Sequence, residues 1–212
     1  MQRSSHDFGL MLTVVGLSFS GVGCQKQASP ETTPQVITTP KHKKVLGGGT
    51  VELGAPPAKV AAALKGLKMG LKSRLQGAMK AGGPIAALTA CNHDAPGITA
   101  IAQAAGMKVG RTSHRLRNPA NAAPKWATEY VAKAADKRLD KVPGRMTVNI
   151  EGGKKGYLEM IGTASMCLGC HGPSNDLDPK LKAKIAALYP KDTATGFAAG
   201  DVRGWFWAEY TP

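Results

Sequence analysis

This sequence of 212 residues has little of what marks several large classes of protein. Its four cysteines are too few and too unevenly spaced for a disulfide framework. Aromatic residues make up 5% of the chain, and no arginine-rich tract is interleaved with them, so nucleic-acid binding is not expected. No catalytic triad, phosphate-binding glycine loop or pair of carboxylates stands out, so the sequence does not favour an enzyme.

The residues that are abundant indicate an ordinary basic globular domain. Hydrophobic residues make up 42% of the chain, which is enough for a core. The formal net charge is +14, but the lysines are spread over the whole length. A basic excess of this size can attract an acidic partner or an anionic surface. An even spread is more typical of a solvated surface.

The N-terminal residues 1–23 predict an export signal. Arg3 precedes an uncharged stretch, from Phe8 to Gly23, that is too short to span a membrane and suits a signal-peptide core. Cys24 follows at once, so lipidation of Cys24 is expected. Gly21 stands where a lipoprotein signal usually has leucine, which leaves ordinary cleavage and an uncleaved anchor open. Each alternative puts the domain in the periplasm or cell envelope, and a lipid on Cys24 would attach it to the outer membrane.

Residues 24–57 predict a flexible linker, because prolines, threonines and a run of glycines interrupt any periodicity. The folded domain is expected over 58–212, with an α+β fold in which helices come first and antiparallel strands follow. The patterns predict helices over 58–81, 84–90, 94–105, 124–139 and 179–188, and strands over 108–116, 146–150, 157–161 and 202–210.

The strongest signal is the run Cys167-Leu168-Gly169-Cys170-His171, the C-x-x-C-H pattern of covalent haem attachment. Two thiols one helical turn apart can add to the two vinyl groups on one edge of a porphyrin. The histidine that follows then supplies an imidazole nitrogen to the iron. The motif predicts haem c attached through Cys167 and Cys170 and ligated by His171. An export signal agrees, since c-type haem is attached outside the inner membrane.

Two other sites could use the same cysteines. A zinc site could combine Cys91, His93, Cys167 and Cys170, which form a plausible tetrahedral set by ligand type. A thioredoxin-like redox pair would need a preceding strand in a βαβ unit, and no such pattern surrounds Cys167.

The sixth ligand of the iron decides what a haem protein does. The residue types that could serve are Cys91, His93, His114, Met107, Met146, Met160 and Met166. Cys91 differs from the others because it has no obvious disulfide partner in an oxidising compartment. It is either a buried inert thiol or an iron ligand.

The chain also resembles the PAS-like c-type haem sensor domains, formerly a domain of unknown function. The resemblance runs from about residue 60 to the C-terminus, through GGPIAALTACNHDAPGIT (82–99), GRTSHRLRNPANAAPKW (110–126), YLEMIGTASMCLGCHG (157–172) and DTATGFAAGDVRGWF (192–206). It implies a PAS-like antiparallel sheet flanked by helices, with one covalent haem. It also implies thioether bonds at Cys167 and Cys170, a proximal ligand at His171 and a distal ligand at Cys91.

The expected function is a redox or small-gas sensor with a redox or signalling protein partner. A Cys91 thiolate would stabilise ferric iron and lower the reduction potential. On reduction, Cys91 would protonate and leave, which would open a site for a small gas or move the Cys91 loop. The alternative is a small periplasmic electron-transfer cytochrome. Contact with a membrane is expected only through the N-terminal lipid.

Three arginines lie close together in the sequence, within the strand predicted over 108–116 and just beyond it. Arg111, Arg115 and Arg117 alternate with other residues, so they should face one way. Arginine binds carboxylates through two parallel hydrogen bonds. We expect Arg115 and Arg117 to pair with the haem propionates, with a solvated strand face as the alternative.

Overall fold

The structure is a computed structural model that describes residues 43–46, 49–103 and 107–212, with side chains from Glu52 onward. The predicted signal peptide, Cys24 and most of the predicted linker lie outside the described residues. Within the described part, no helix combines the length and the apolar character needed to cross a membrane.

The described residues form one antiparallel sheet with helices packed against it, which confirms the α+β class. Its six strands lie in the order β1-β2-β4-β5-β6-β3. The strands are β1 (Lys43–Leu46), β2 (Gly49–Glu52), β3 (Met107–Thr112), β4 (Arg145–Asn149), β5 (Lys155–Gly162) and β6 (Val202–Tyr210). The helices are α1 (Ala58–Ala102), α2 (Thr128–Lys133), α3 (Leu168–His171) and α4 (Pro179–Leu188).

Helix α1 is folded back on itself at a glycine pair. Gly82 and Gly83 have non-helical backbone angles, and Gly83 has a φ of 68°. The halves on either side, 58–81 and 84–102, lie antiparallel, since Arg74 forms an ion pair with Asp94 and Ala78 packs with residues of the second half. The predicted helix end at Gly82 is therefore confirmed.

The second half of α1 corrects the sequence analysis. Separate helices were predicted over 84–90 and 94–105, but the chain stays helical from residue 84 to Ala102. Pro96 lacks a backbone N–H, so it removes one helical hydrogen bond without ending the helix. Cys91 consequently lies on a helix, and the Cys91 loop expected from the sequence does not exist.

The two faces of the sheet carry separate cores. Val60, Leu64 and Leu67 of α1 are fully buried against one face, where Tyr157 lies. The next residue of β5, Leu158, points to the opposite face and packs with other buried side chains there. Full burial of an aliphatic side chain stabilises a fold by roughly 1.5–3 kcal/mol. These contacts attach the first half of α1 to the sheet, and Ile98 and Ala102 of its second half pack beside the same core.

Strand β3 and helix α2 are shorter than predicted. Strand β3 ends at Thr112, because the Ser113 hydroxyl donates to the Arg203 carbonyl at 2.5 Å and accepts the Arg115 N–H at 3.1 Å. This turn removes Arg115 and Arg117 from the strand, so the alternation predicted along one strand does not hold, although all three arginines line one cavity at this end of the sheet. Helix α2 covers only Thr128–Lys133 of the predicted 124–139.

The linker prediction over 24–57 is wrong for its described C-terminal part. Strands β1 and β2 pair with each other, and Val51 of β2 aligns with Val148 of β4. The sequence contains the matching signal, two short segments with β-branched residues on either side of consecutive glycines. The hairpin at 146–150 and 157–161, the helix at 179–188 and the strand at 202–210 are confirmed.

Candidate functional site

A cavity of about 400 Å³ lies between the second half of α1, the adjacent end of the sheet and α3. Small-molecule and cofactor pockets have volumes of roughly 300–1,000 Å³. Its wall includes Cys91 from α1 and both Cys170 and His171 from α3. Residues distant in the sequence thus meet around one space.

The turn that carries the C-x-x-C-H motif is held by the neighbouring loop. The Gly172 N–H donates to the Leu168 carbonyl at 2.8 Å and closes α3. A Cβ at Gly172 would lie 2.7 Å from that carbonyl oxygen, so a larger residue would clash there. The Phe197 N–H donates to the His171 carbonyl at 3.0 Å. These bonds fix the direction of the His171 side chain.

The His171 ring has one defined tautomer. Its Nδ1 lies 2.7 Å from the Ala194 carbonyl oxygen, which can only accept a hydrogen bond. Nδ1 therefore carries the proton, and Nε2 keeps its lone pair. The guanidinium of Arg203 lies 3.3 Å from Nδ1, but two donors face each other there, so this is a contact and no hydrogen bond. His171 can offer Nε2 as a metal ligand.

Burial keeps this imidazole neutral. Burial, together with the positive charges of Arg203 and Arg117, lowers the pKa of His171 to about 2. The hydrogen bond to Ala194 acts against this shift but is the weaker influence. A neutral imidazole with a free nitrogen is the form that binds iron.

Two cysteine thiols line the cavity, those of Cys91 and Cys170, and Cys167 lies directly before α3. Cys91, Cys167 and Cys170 are free and half-buried. Burial raises the pKa of Cys91, although Arg111 and Arg117 act in the opposite direction. Burial likewise raises the pKa of Cys170. Both thiols are protonated at neutral pH unless a metal or a covalent bond replaces the proton.

Four arginines line the cavity, Arg111, Arg115, Arg117 and Arg203. Arg115 lies 2.6 Å from Asp136 and donates to the Thr195 carbonyl at 2.9 Å. The guanidinium of Arg117 bonds both carboxylate oxygens of Asp192, at 3.2 and 3.3 Å. It also donates to the Cys170 carbonyl at 2.6 Å. The two arginines expected at the propionates are therefore at the cavity and already bound to acids.

The other candidates for a sixth ligand lie elsewhere. The side chain of His93 is 88% exposed, and Met166 is 78% exposed. The remaining four do not line the cavity either: Met107 and Met146 are buried in the two cores, Met160 packs beside one of them, and His114 lies near Asp136. Among the described residues, Cys91 alone of the predicted candidates reaches the cavity wall opposite α3.

The four residues proposed for the zinc alternative do not lie together. It needed Cys91, His93, Cys167 and Cys170 together, but the His93 ring faces solvent beside Asp94. No group of three or more histidine, cysteine or acidic side chains with metal-binding geometry occurs in the part of the chain that the structure describes.

Sequence analysis missed Arg203 as a site residue. It lies near the start of β6, in the run VRGWFWAEY, where it is the only basic residue of a largely apolar strand. A charged residue among buried neighbours in a central strand is uncommon without a partner. That signal was present in the sequence.

The fold and the cavity together define a class, that of α+β proteins with a basic cavity between a sheet end and helices that bear cysteine and histidine. The chain belongs to the Tll0287-like family, whose model matches residues 37–209. No curated protein matches the sequence.

A solved structure agrees with this assignment. The fold is similar to that in the crystal structure of the cyanobacterial heme-protein Tll0287, with a TM-score of 0.52 and 22% sequence identity. The match covers 74% of this chain and 97% of that chain. The PAS-like description, covalent attachment and the His/Cys ligand set stay predictions.

Proposed function

We propose that this protein is an exported mono-haem c-type haem protein with a PAS-like domain. Haem would be attached through Cys167 and Cys170, with His171 and Cys91 as the axial ligands of the iron. One observation carries the proposal: His171 Nε2 has a free lone pair in the same cavity as Cys91 and Cys170. A fold shared with a cyanobacterial heme-protein supports it.

The residues of the cavity fit such a cofactor. Neutral imidazole and thiol are the donor types that hold haem iron in proteins. The free thiols of Cys167 and Cys170 are in the state that thioether formation requires. The basic wall suits the carboxylates of a porphyrin.

We further propose that the protein is a redox or small-gas sensor. Bound haem would supply one-electron chemistry and a coordination position for a small gas. A Cys91 thiolate would favour the oxidised state, and on reduction Cys91 would take up a proton and withdraw. Because Cys91 lies on a helix, a change of its χ1 rotamer would withdraw the sulfur, and no loop needs to move.

A small electron-transfer cytochrome is the second candidate. It is favoured by the position of Cys91 on a helix that packs through Leu88 against α4, since a fixed ligand makes redox cycling fast. Failure of carbon monoxide to bind the reduced protein would favour this candidate over the sensor.

The remaining parts of the proposal concern the setting of the protein. It acts through a redox or signalling protein partner and is not an enzyme. It resides in the periplasm or cell envelope, with lipidated Cys24 as its membrane attachment.

Absorption spectra and the pyridine haemochrome assay on purified protein test the proposal. We expect a c-type haemochrome, and a ferric spectrum that changes in Cys91→Ala but not in the matched control His93→Ala. His93 is two residues away and exposed, so its loss should not reach the cavity. Absence of haem from cells competent to attach it would contradict the proposal, and indifference to Cys91 would contradict the ligand set.

A further inference from the structure

We infer that Arg111 and Arg203, rather than Arg115 and Arg117, hold the two propionate carboxylates of the haem. This inference rests on the proposed function and deepens it, because it names the anchoring residues for one end of the cofactor.

The first step is that two of the four cavity arginines already have acidic partners. Arg115 pairs with Asp136, and Arg117 pairs with Asp192, whose side chain is 8% exposed. Their remaining donors go to backbone carbonyls of the same wall. These two arginines join parts of the protein to each other.

The second step is that the other two have no such partner. Arg111, on β3, and Arg203, on β6, are half-buried in the cavity wall, and neither forms an ion pair with an acid in the described residues. The neighbour that Arg203 does contact, Nδ1 of His171, is itself a donor. A buried cation that lacks a counter-charge is costly unless a ligand supplies one.

The electrostatics agree with this geometry. Burial lowers the pKa of Arg111. Burial also lowers the pKa of Arg203 to about 10, and repulsion by Arg111 is the next cause. The guanidinium of Arg111 is thus close enough to disfavour the charge of Arg203.

The third step is a charge balance. After the pairs with Asp136 and Asp192 are counted, two positive charges remain on the cavity wall, those of Arg111 and Arg203. Each haem carries two propionates, and a guanidinium binds a carboxylate through two parallel hydrogen bonds. The charges match in sign and number.

The test is the reduction potential of the haem-loaded protein as a function of pH. In the wild type, both propionates should stay ionised, so protonation of Cys91 on reduction should be the only source of pH dependence near neutral pH. In Arg111→Gln and Arg203→Gln, one carboxylate loses its cation, and its proton affinity should rise roughly ten- to a thousandfold. The potential of these variants should then fall more steeply than that of the wild type as pH rises through the neutral range.

Matched variants separate this effect from simple loss of charge. Arg145→Gln removes one positive charge from an exposed position on β4 and should leave the pH profile unchanged. Arg203→Lys and Arg111→Lys keep the charge and should retain the wild-type profile. They also provide a test if the glutamine variants do not accumulate.

Three results would overturn the inference. The first is a wild-type profile in both glutamine variants that still contain haem. The second is a potential that falls more steeply with pH than that of the wild type in Arg115→Gln or Arg117→Gln alone. The third is a potential that responds to added inorganic phosphate in the wild type but not in Arg111→Gln or Arg203→Gln. That response would assign the two arginines to a free anion. A wild type without haem would overturn the proposed function together with the inference.

Discussion

The two sides of the cavity are built in different ways. On the α3 side, the C-x-x-C-H motif is contained in consecutive residues, and hydrogen bonds with Ala194 and Phe197 of one neighbouring loop hold His171. On the α1 side, Cys91 has no local motif. Its position depends on the fold at Gly82 and Gly83 and on the packing of Leu88 against α4.

Because of this difference, the two sides should respond differently to substitutions. A locally fixed ligand is lost mainly by changing the ligand or the bonds that hold it. A ligand placed by helix packing can be displaced by a substitution far from the cavity. Substitutions on the two sides can therefore distinguish a ligand held by its neighbouring loop from one placed by helix packing.

Replacement of the α3-side ligand should have the largest effect. His171→Ala removes the nitrogen that meets the iron, so we expect loss of the wild-type haem spectrum. Haem content per protein by the pyridine haemochrome assay checks this, with His93→Ala as the control. A wild-type ferric spectrum in His171→Ala would contradict the account.

Loss of the acid that supports His171 should destabilise the fold strongly. Asp192 pairs with Arg117 and accepts the Ala194 N–H at 2.8 Å, next to the carbonyl that orients His171. Breaking one partner of a buried ion pair costs about 3–5 kcal/mol. We expect a loss of this size in Asp192→Asn by chemical denaturation, against almost none for the exposed pair in Asp140→Asn. Equal losses in both variants would show that the buried pair stabilises the fold no more than the exposed pair does.

A substitution at the helix break should act on Cys91 from a distance. Gly83 has φ 68° and ψ −160°, a region that is essentially restricted to glycine. Gly83→Ala should cost about 1–3 kcal/mol of stability and alter the ferric spectrum through Cys91.

The control for this effect is Gly77→Ala, within the first half of α1. A Cβ at Gly77 meets nothing within 4 Å, so this variant should gain about 0.5–1 kcal/mol. A Gly83→Ala protein with unchanged stability and spectrum would refute the dependence of Cys91 on the hairpin.

The smallest expected effect concerns His114, which supports the α3 side through Phe197. The Phe197 ring packs edge-on against both His114 and His171. Burial lowers the pKa of His114, although Asp136 acts in the opposite direction. The unfolded chain therefore binds the proton more readily, and stability is lost as pH falls below about 6.5.

Melting temperatures of the wild type and His114→Gln from pH 7.5 to 5 measure this contribution. We expect the wild type to lose slightly more stability on acidification than the variant. A wild type that gains stability relative to His114→Gln at low pH would reverse the sign and contradict the account.

The same contrast explains what could be predicted from the sequence. The α3 side was readable, because the motif places its residues by local geometry. Helix α4 and strand β6 were also found, since period and turn residues agree there. Cys91 was singled out by its isolation and by resemblance, because nothing local to it indicates a ligand.

The errors arose where tertiary contacts decide the structure. Ser113 ends β3 by bonding the Arg203 carbonyl across the sheet, which no pattern in 108–117 reveals. The pairing of β2 with β4 likewise joins segments far apart in the sequence. Arg203 was overlooked although the sequence shows it as the only basic residue of β6, and its lack of an acidic partner is visible only in three dimensions.

X-ray absorption at the iron edge tests the central claim, ligation by both sides of the cavity, most directly. It should be measured on the ferric wild type and on Cys91→Ala. The account predicts one sulfur ligand on the iron in the wild type and none in the variant, with nitrogen ligands in both. An iron without a sulfur ligand in the wild type would contradict it.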